Sequence, residues 1–286
     1  MPSTPSLSLL LDGLHFAECP RWRDGKLWFA DIFDQRVMTV DESGFSEIVV
    51  QFDGDELPAG LGFMPDGRLL MANMRHPNIL RLDGPGQVSV HADVSHLAVG
   101  ALNDMVVDDV GRIYVGSMGT NAATLPRPVE ANGNIIVVEP DGRARIAAEA
   151  LDAPNGPCIT PDGKQYIVSE FPAARLAGFD RASDGTLSNR RIWAELAPGT
   201  ADGIAVDALG GIWTASPLQS QCRRVVEGGE VTDVIEVAGK MPLACALGGS
   251  EGRTLFILSA LGGVAAITAR TNTSVIDITE VAVPGW

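Results

Sequence analysis

Four oxygen-bearing side chains recur at matched places in a repeating pattern along this sequence. Asn103, Asn155 and Asp202 each stand eight residues before a turn glycine, and Glu18 stands seven before one. Carboxylate and amide oxygens, without thiolate or imidazole, are the donors that a hard cation such as Ca²⁺, Mg²⁺ or Mn²⁺ takes. A divalent ion with three or four protein ligands keeps open positions, where it can polarise a carbonyl and acidify a water. Ester or lactone hydrolysis suits such a site. Taken singly, each Asn or Asp is explained by an Asx-turn at a strand entry. As a set they are not, because four polar oxygens gathered in a narrow mouth need a partner.

The elements that would gather them follow from an internal repeat. A short apolar strand, a turn ending in glycine and a second apolar strand occur six times: CPRWRDGKLWFAD, LGFMPDGRLLMAN, MVVDDVGRIYVGS, PCITPDGKQYIVS, IAVDALGGIWTAS and LGGSEGRTLFILS. The turn glycines, Gly25, Gly67, Gly111, Gly163, Gly210 and Gly252, are 42 to 52 residues apart, about the length of a four-stranded propeller blade. Each half-unit is short and rich in β-branched and aromatic residues, and the glycine supplies the positive φ of a tight hairpin. Stretches such as NILRLDGPGQVSVHA supply third and fourth strands. The expectation is an all-β, six-bladed β-propeller of four-stranded antiparallel blades, occupying residues 1–286 as a single domain. A segment before Glu18 or after Ala260 should complete a shared blade, and two insertions, Gly119–Asn134 and Phe171–Asn189, should be loops.

Composition narrows the partners. The 286 residues carry 21 basic and 36 acidic side chains, a net charge of −15, which repels phosphate backbones and anionic lipid heads. No nucleic-acid or membrane partner is expected. The apolar run near Leu7–Leu11 has neither a basic flank nor a cleavage pattern, so a cytoplasmic location is expected. Cys19, Cys158, Cys222 and Cys245 form no C-x-x-C pair and read as buried free thiols.

FAECPRW, ALNDMVVD, APNGPCITPDG and ADGIAVD, in that order from about Leu10 onward, resemble the motifs of the gluconolactonase, regucalcin and luciferin-regenerating-enzyme family of six-bladed propellers. The resemblance implies a metal-dependent lactonase, a gluconolactonase-like carboxylic ester hydrolase acting on a small-molecule lactone or ester. It implies one divalent cation held by Glu18, Asn155 and Asp202, with Ca²⁺ first and Mg²⁺, Mn²⁺ or Zn²⁺ as alternatives. Asp202 would also manage the proton, and Asn103 would touch substrate or a water.

Loops on the same face, near Asp31–Asp34, Met74–Pro77, Ser117–Asn121, Glu170–Pro172 and Ser216–Leu218, should supply the rest of the pocket, with Asn121, His76 and Met118 as substrate contacts. The family's sugar-lactone hydrolases are similar in carrying an Arg two residues before the Asn of ND and an acid in the loop after the third unit. This chain has Ala101 at the first place and Thr120 or Asn121 near the second. Without a guanidinium fork or that carboxylate, and with Phe33, Met74, Met118, Phe171 and Leu218 near the rim, a lactone less polar than a sugar's is expected. Two alternatives stand beside this reading: a phosphotriesterase or aryl-esterase on the same fold, and a non-catalytic propeller plugged by its metal.

Overall fold

The computed structural model describes residues 7–120 and 131–286. Among them are six four-stranded antiparallel sheets, and in each the hairpin read from the repeat forms the first two strands. The first strands are Ala17–Arg23, Pro58–Phe63, Leu102–Val107, Pro154–Ile159, Ile204–Val206 and Met241–Gly248, defining blades 1 to 6. They touch one another in cyclic order, blade 6 closing on blade 1, so they line the axis. All six turn glycines have φ between 70° and 90°, where a side chain would be strained.

Closure uses both ends of the described chain. The strand Ser8–Leu14 pairs with Thr273–Glu280 as the outermost strand of blade 6, so the shared blade takes three strands from after the fifth unit and one from before the first. This covers the edge that an open row of sheets would leave unpaired.

The core lies in the seams between blades. Strand alternation sends Ile113 and Val115 into the seam with blade 2 and Tyr114 into the seam with blade 4. Both faces of every blade are therefore buried, which explains why the inner strands are nearly continuously apolar. The four cysteines are buried, unpaired thiols in these seams. No helix among the described residues is long and apolar enough to cross a membrane.

The loop expected over Phe171–Asn189 is overturned. After a 3-10 turn at Phe171–Ala173, the chain forms the third strand, Arg175–Arg181, and enters the fourth at Leu187. Its Ala-Gly core hides it from propensity, but Gly178 is small because Trp193 lies over it, where a Cβ would meet the indole at 3.1 Å. Of the insertion Gly119–Asn134, residues 121–130 lie outside the described residues. The third strand of blade 3 already begins at Gly133, and Asn132 and Thr120 hydrogen-bond across the base of the segment.

Candidate active site at the upper mouth

The first strands all begin at one end of the tunnel, here called upper, and end at the turn glycines below. Glu18 pairs in register with Ala30 and Asn155 with Ser169, each partner being the last residue but one of a second strand. The Asp202 N–H donates to the Ala215 carbonyl at 2.8 Å, which places Asp202 at the same level in blade 5. Leu102 pairs with Ser117, so Asn103 stands one step inward, also at that level. The turn of blade 1 is a two-residue Asp24-Gly25 hairpin closed by Arg23 and Lys26, and this shorter turn is why Glu18 counts seven rather than eight from its glycine.

A β-bulge follows the level of these side chains in most first strands. Register breaks between Glu18 and Arg21, Leu102 and Met105, and Asn155 and Cys158. Cys19 and Gly156 take φ of 54° and 49° there. Such a bulge kinks the strand and re-aims its side chains, as it does beside many active sites. Gly156 is needed for a second reason. A Cβ on it would sit 2.6 Å from Ile204 N and 2.7 Å from Gly203 Cα, so blade 4 could not approach blade 5. The Ser169 hydroxyl secures that approach, lying 2.7 Å from the Asn155 carbonyl and 2.8 Å from the Asp202 carbonyl.

Electrostatically the mouth is unbalanced. Glu18 and Asp202 are buried, and no cationic side chain among the described residues bonds to either. Glu18 Oε2 accepts the Cys19 N–H at 3.2 Å, and Asp202 Oδ1 accepts the Asn155 amide. Burial, then the charge of Asp202, holds the Glu18 carboxyl well above its usual range. Burial, then the charge of Asp104, pushes Asp202 up to about 7. Two acids so placed take up either protons or a cation. Among the described residues no three His, Cys, Asp or Glu side chains gather as a metal centre. The donor set is two carboxylates with the amides of Asn155 and Asn103, which fits a hard cation rather than a soft one.

The remaining expected residues divide. Asn103 is buried at the level of Glu18 and Asp202, and its side chain bonds to no described group, leaving its amide available. Met118 leaves the upper end of blade 3, its N–H on the Ala101 carbonyl at 3.0 Å, beside the entry to the Asn103 strand. His76 turns to the rim, Nε2 being 2.9 Å from Asp55 Oδ1, and no described contact joins it to the axial residues. Asn121 lies outside the described residues. Cys19 adjoins Glu18, but burial and the charges of Asp104 and Glu18 push its thiol well up, so a thiolate nucleophile is disfavoured.

Sequence reasoning missed three features. Arg21 reaches from blade 1 to blade 3, donating to Asp104 Oδ1 at 2.7 Å and to the Met105 carbonyl, so Asp104 is an ion-paired strut beneath the mouth. Strict alternation would put Glu18 and Arg21 on opposite faces, and the bulge at Cys19 hides the relation. Second, Asp31 and Glu170, which open two of the expected pocket loops, serve the fold. Asp31 accepts the His15 and Phe16 N–H groups and Arg36, while Glu170 accepts the Asp152 N–H, Arg175 and Arg190. Third, Phe16 stacks on Phe33 at 4.5 Å and, with Leu57, gathers the Phe33 and Met74 expected at the rim into one cluster with Cys19, Ile32 and Ala59, the Arg270 guanidinium lying 4.9 Å from the Phe33 ring.

Comparison with known proteins agrees with this architecture. The model of the SMP-30/Gluconolactonase/LRE-like region matches residues 16–261. The 6-deoxy-6-sulfogluconolactonase of Pseudomonas putida is 30% identical over 252 residues, 85% of this chain and 82% of that protein. The pentonolactonase of Haloferax volcanii is 27% identical over 205 residues, 69% of this chain and 65% of its own length. The crystal structure of a calcium-binding protein, regucalcin, from Agrobacterium tumefaciens superposes with a TM-score of 0.82 at 21% identity, covering 99% of this chain and 96% of that one. At that identity the likeness shows a shared fold.

Proposed function

Because the chain belongs to the SMP-30/Gluconolactonase/LRE-like family, we propose that it is a hydrolase that opens a small-molecule lactone at the upper mouth. The observation that carries the reading is the pair of buried carboxylates, Glu18 and Asp202, with no cation bonded to either. Two curated relatives are named as lactonases, which supports the reaction class.

Glu18, Asn155 and Asp202 would hold one divalent cation, Ca²⁺ first, given the oxygen donors and a relative described as calcium-binding. When bound, the cation would polarise the lactone carbonyl and offset charge developing on its oxygen. The chain's own groups do the rest. Asn103 offers its amide to the substrate. Asp202 Oδ1 is held by Asn155, leaving Oδ2 to take a proton from the attacking water as its oxygen bonds to the carbonyl carbon. The bond from that carbon to the ring oxygen then breaks, and the proton passes to the departing alkoxide, leaving a hydroxy acid. The absence of a guanidinium at Ala101 supports a substrate less polar than a sugar lactone.

The test is turnover of aliphatic, aromatic and sugar lactones, with paraoxon alongside, by chelator-treated protein with and without divalent ions, for wild type and Asp202→Ala. Lactone turnover that returns with metal and is lost in the variant supports the proposal. Metal-dependent turnover of paraoxon alone would replace it with a phosphotriesterase, and bound metal without turnover would replace it with a binding propeller.

A further inference from the structure

A wide cavity lies away from the upper mouth. A chamber of about 760 Å³ opens at the lower end of the tunnel, and none of Glu18, Asn103, Asn155 or Asp202 lines it. Its volume is that of small-molecule sites, which are apolar with a few placed polar groups. Trp22, Val107, Ile159, Val206 and Leu247, from five of the six blades, form the walls, and Trp286 stands at the opening. Arg21 borders it from above, where its ion pair with Asp104 separates the chamber from the mouth.

Arg21 is the group that gives the chamber a chemical preference. A guanidinium has five N–H donors. Nη1 donates to the Pro20 carbonyl at 2.7 Å, and Nη2 donates to Asp104 and to the Met105 carbonyl. Nε has no partner among the described residues and is not sealed in protein. The other arginine that lines the chamber, Arg181, is taken up by Asp108, the Tyr114 hydroxyl and the Gly163 carbonyl. At the rim Lys164 is exposed and makes no ion pair among the described residues, while Asp109 and Asp162 are exposed there too. An inorganic anion has no apolar body to offset repulsion by a chain of net charge −15, whereas an amphipathic one does.

We propose that the lower chamber is a second ligand site, for a small organic acid whose carboxylate accepts from Arg21 Nε and whose apolar body lies along Trp22, Val107, Ile159, Val206 and Leu247. The site is separate from the hydrolytic mouth and stands whether or not the chain is a lactonase.

Octanoate is the probe, with octylammonium as the control of opposite charge, titrated by calorimetry and by tryptophan fluorescence. Octanoate should bind saturably, octylammonium should not, and Val206→Phe, which fills the chamber while leaving the Arg21–Asp104 pair intact, should weaken octanoate by about tenfold or more. Arg21→Gln should do the same if it folds; if it does not, Val206→Phe and the charge contrast decide. Asp202→Ala should bind octanoate as wild type does. The proposal is overturned by no saturable binding, by equal binding of octylammonium, by undiminished binding in Val206→Phe, or by loss confined to Asp202→Ala, which would put the acid at the upper mouth.

Discussion

The axial acids of the upper mouth and the acids of the lower turns are buried carboxylates treated in opposite ways. At the lower end, Asp108 accepts the Val110 and Arg112 N–H groups and pairs with the side chains of Arg112 and Arg181. Asp207 does the same in blade 5, accepting the Leu209 and Gly211 N–H groups and Arg224 Nε at 2.6 Å. At the upper end, Glu18 and Asp202 have a backbone amide and a neutral side-chain amide and nothing cationic. Burial is similar at both ends, so depth is not what separates them. An acid with its own arginine is complete within the fold. An uncompensated pair costs stability, and such costs collect where a ligand is to be bound.

The largest expected effect breaks the comparison along that line. Asp202→Ala or Glu18→Ala should lower lactone kcat/KM by roughly 10³-fold or more while the protein stays folded, as loss of a group that acts on the reacting atoms does. Asp207→Asn should do the reverse. It leaves Arg224 buried without its charge partner, a loss of about 3–5 kcal/mol in a denaturant titration, with kcat of the folded protein within about twofold of wild type. If both substitutions destabilise and neither changes kcat, the upper acids are structural too.

A pH series sharpens the same contrast. Glu18 and Asp202 are raised in the folded protein, so the native state holds more protons than the unfolded chain between the ordinary carboxylate range and the raised values. Their favourable contribution is present at acid pH and is lost as pH rises, for Asp202 through about 7. The metal-free protein should therefore lose Tm between about pH 5 and 8, and Asp202→Asn should flatten that slope by removing one of the two charges. A saturating divalent cation should also flatten it. A Tm that rises with pH across this window would mean that the upper acids are ionised and compensated, like those below.

The blades and their hairpins are legible in the sequence because each rests on local chemistry: a glycine at positive φ, a two-strand apolar pattern and a fixed spacing. The upper site is legible in part for the same reason, since Asn103, Asn155 and Asp202 share one offset from their glycines. What is not legible depends on backbone irregularity or on distance. The bulge at Cys19 puts Arg21 beneath the mouth instead of across the sheet from Glu18, and no alternation rule anticipates it. The roles of Asp31 and Glu170 follow from N–H groups of His15, Phe16 and Asp152 that reach them only after the blades have packed. The third strand of blade 4 is hidden because its Ala-Gly sequence answers to Trp193 rather than to propensity. The lower chamber is a property of five strand ends at once.

The rim supplies the finest comparison, between Met118 and His76. Met118 is fixed by its backbone to Ala101 next to the strand of Asn103, so Met118→Ala should raise KM by about threefold for an apolar lactone, with kcat little changed, because it removes binding shared by ground and transition states. His76 is half-exposed, and its ring is engaged by Asp55, which also lies 3.5 Å from Arg75. Exposed pairs of this kind contribute little, so His76→Ala should leave kcat/KM within about twofold. A drop of about tenfold or more in kcat/KM at His76 would show that the blade 2 rim closes onto substrate. The border between the paired periphery and the uncompensated mouth would then lie outside Asp55 instead of inside it.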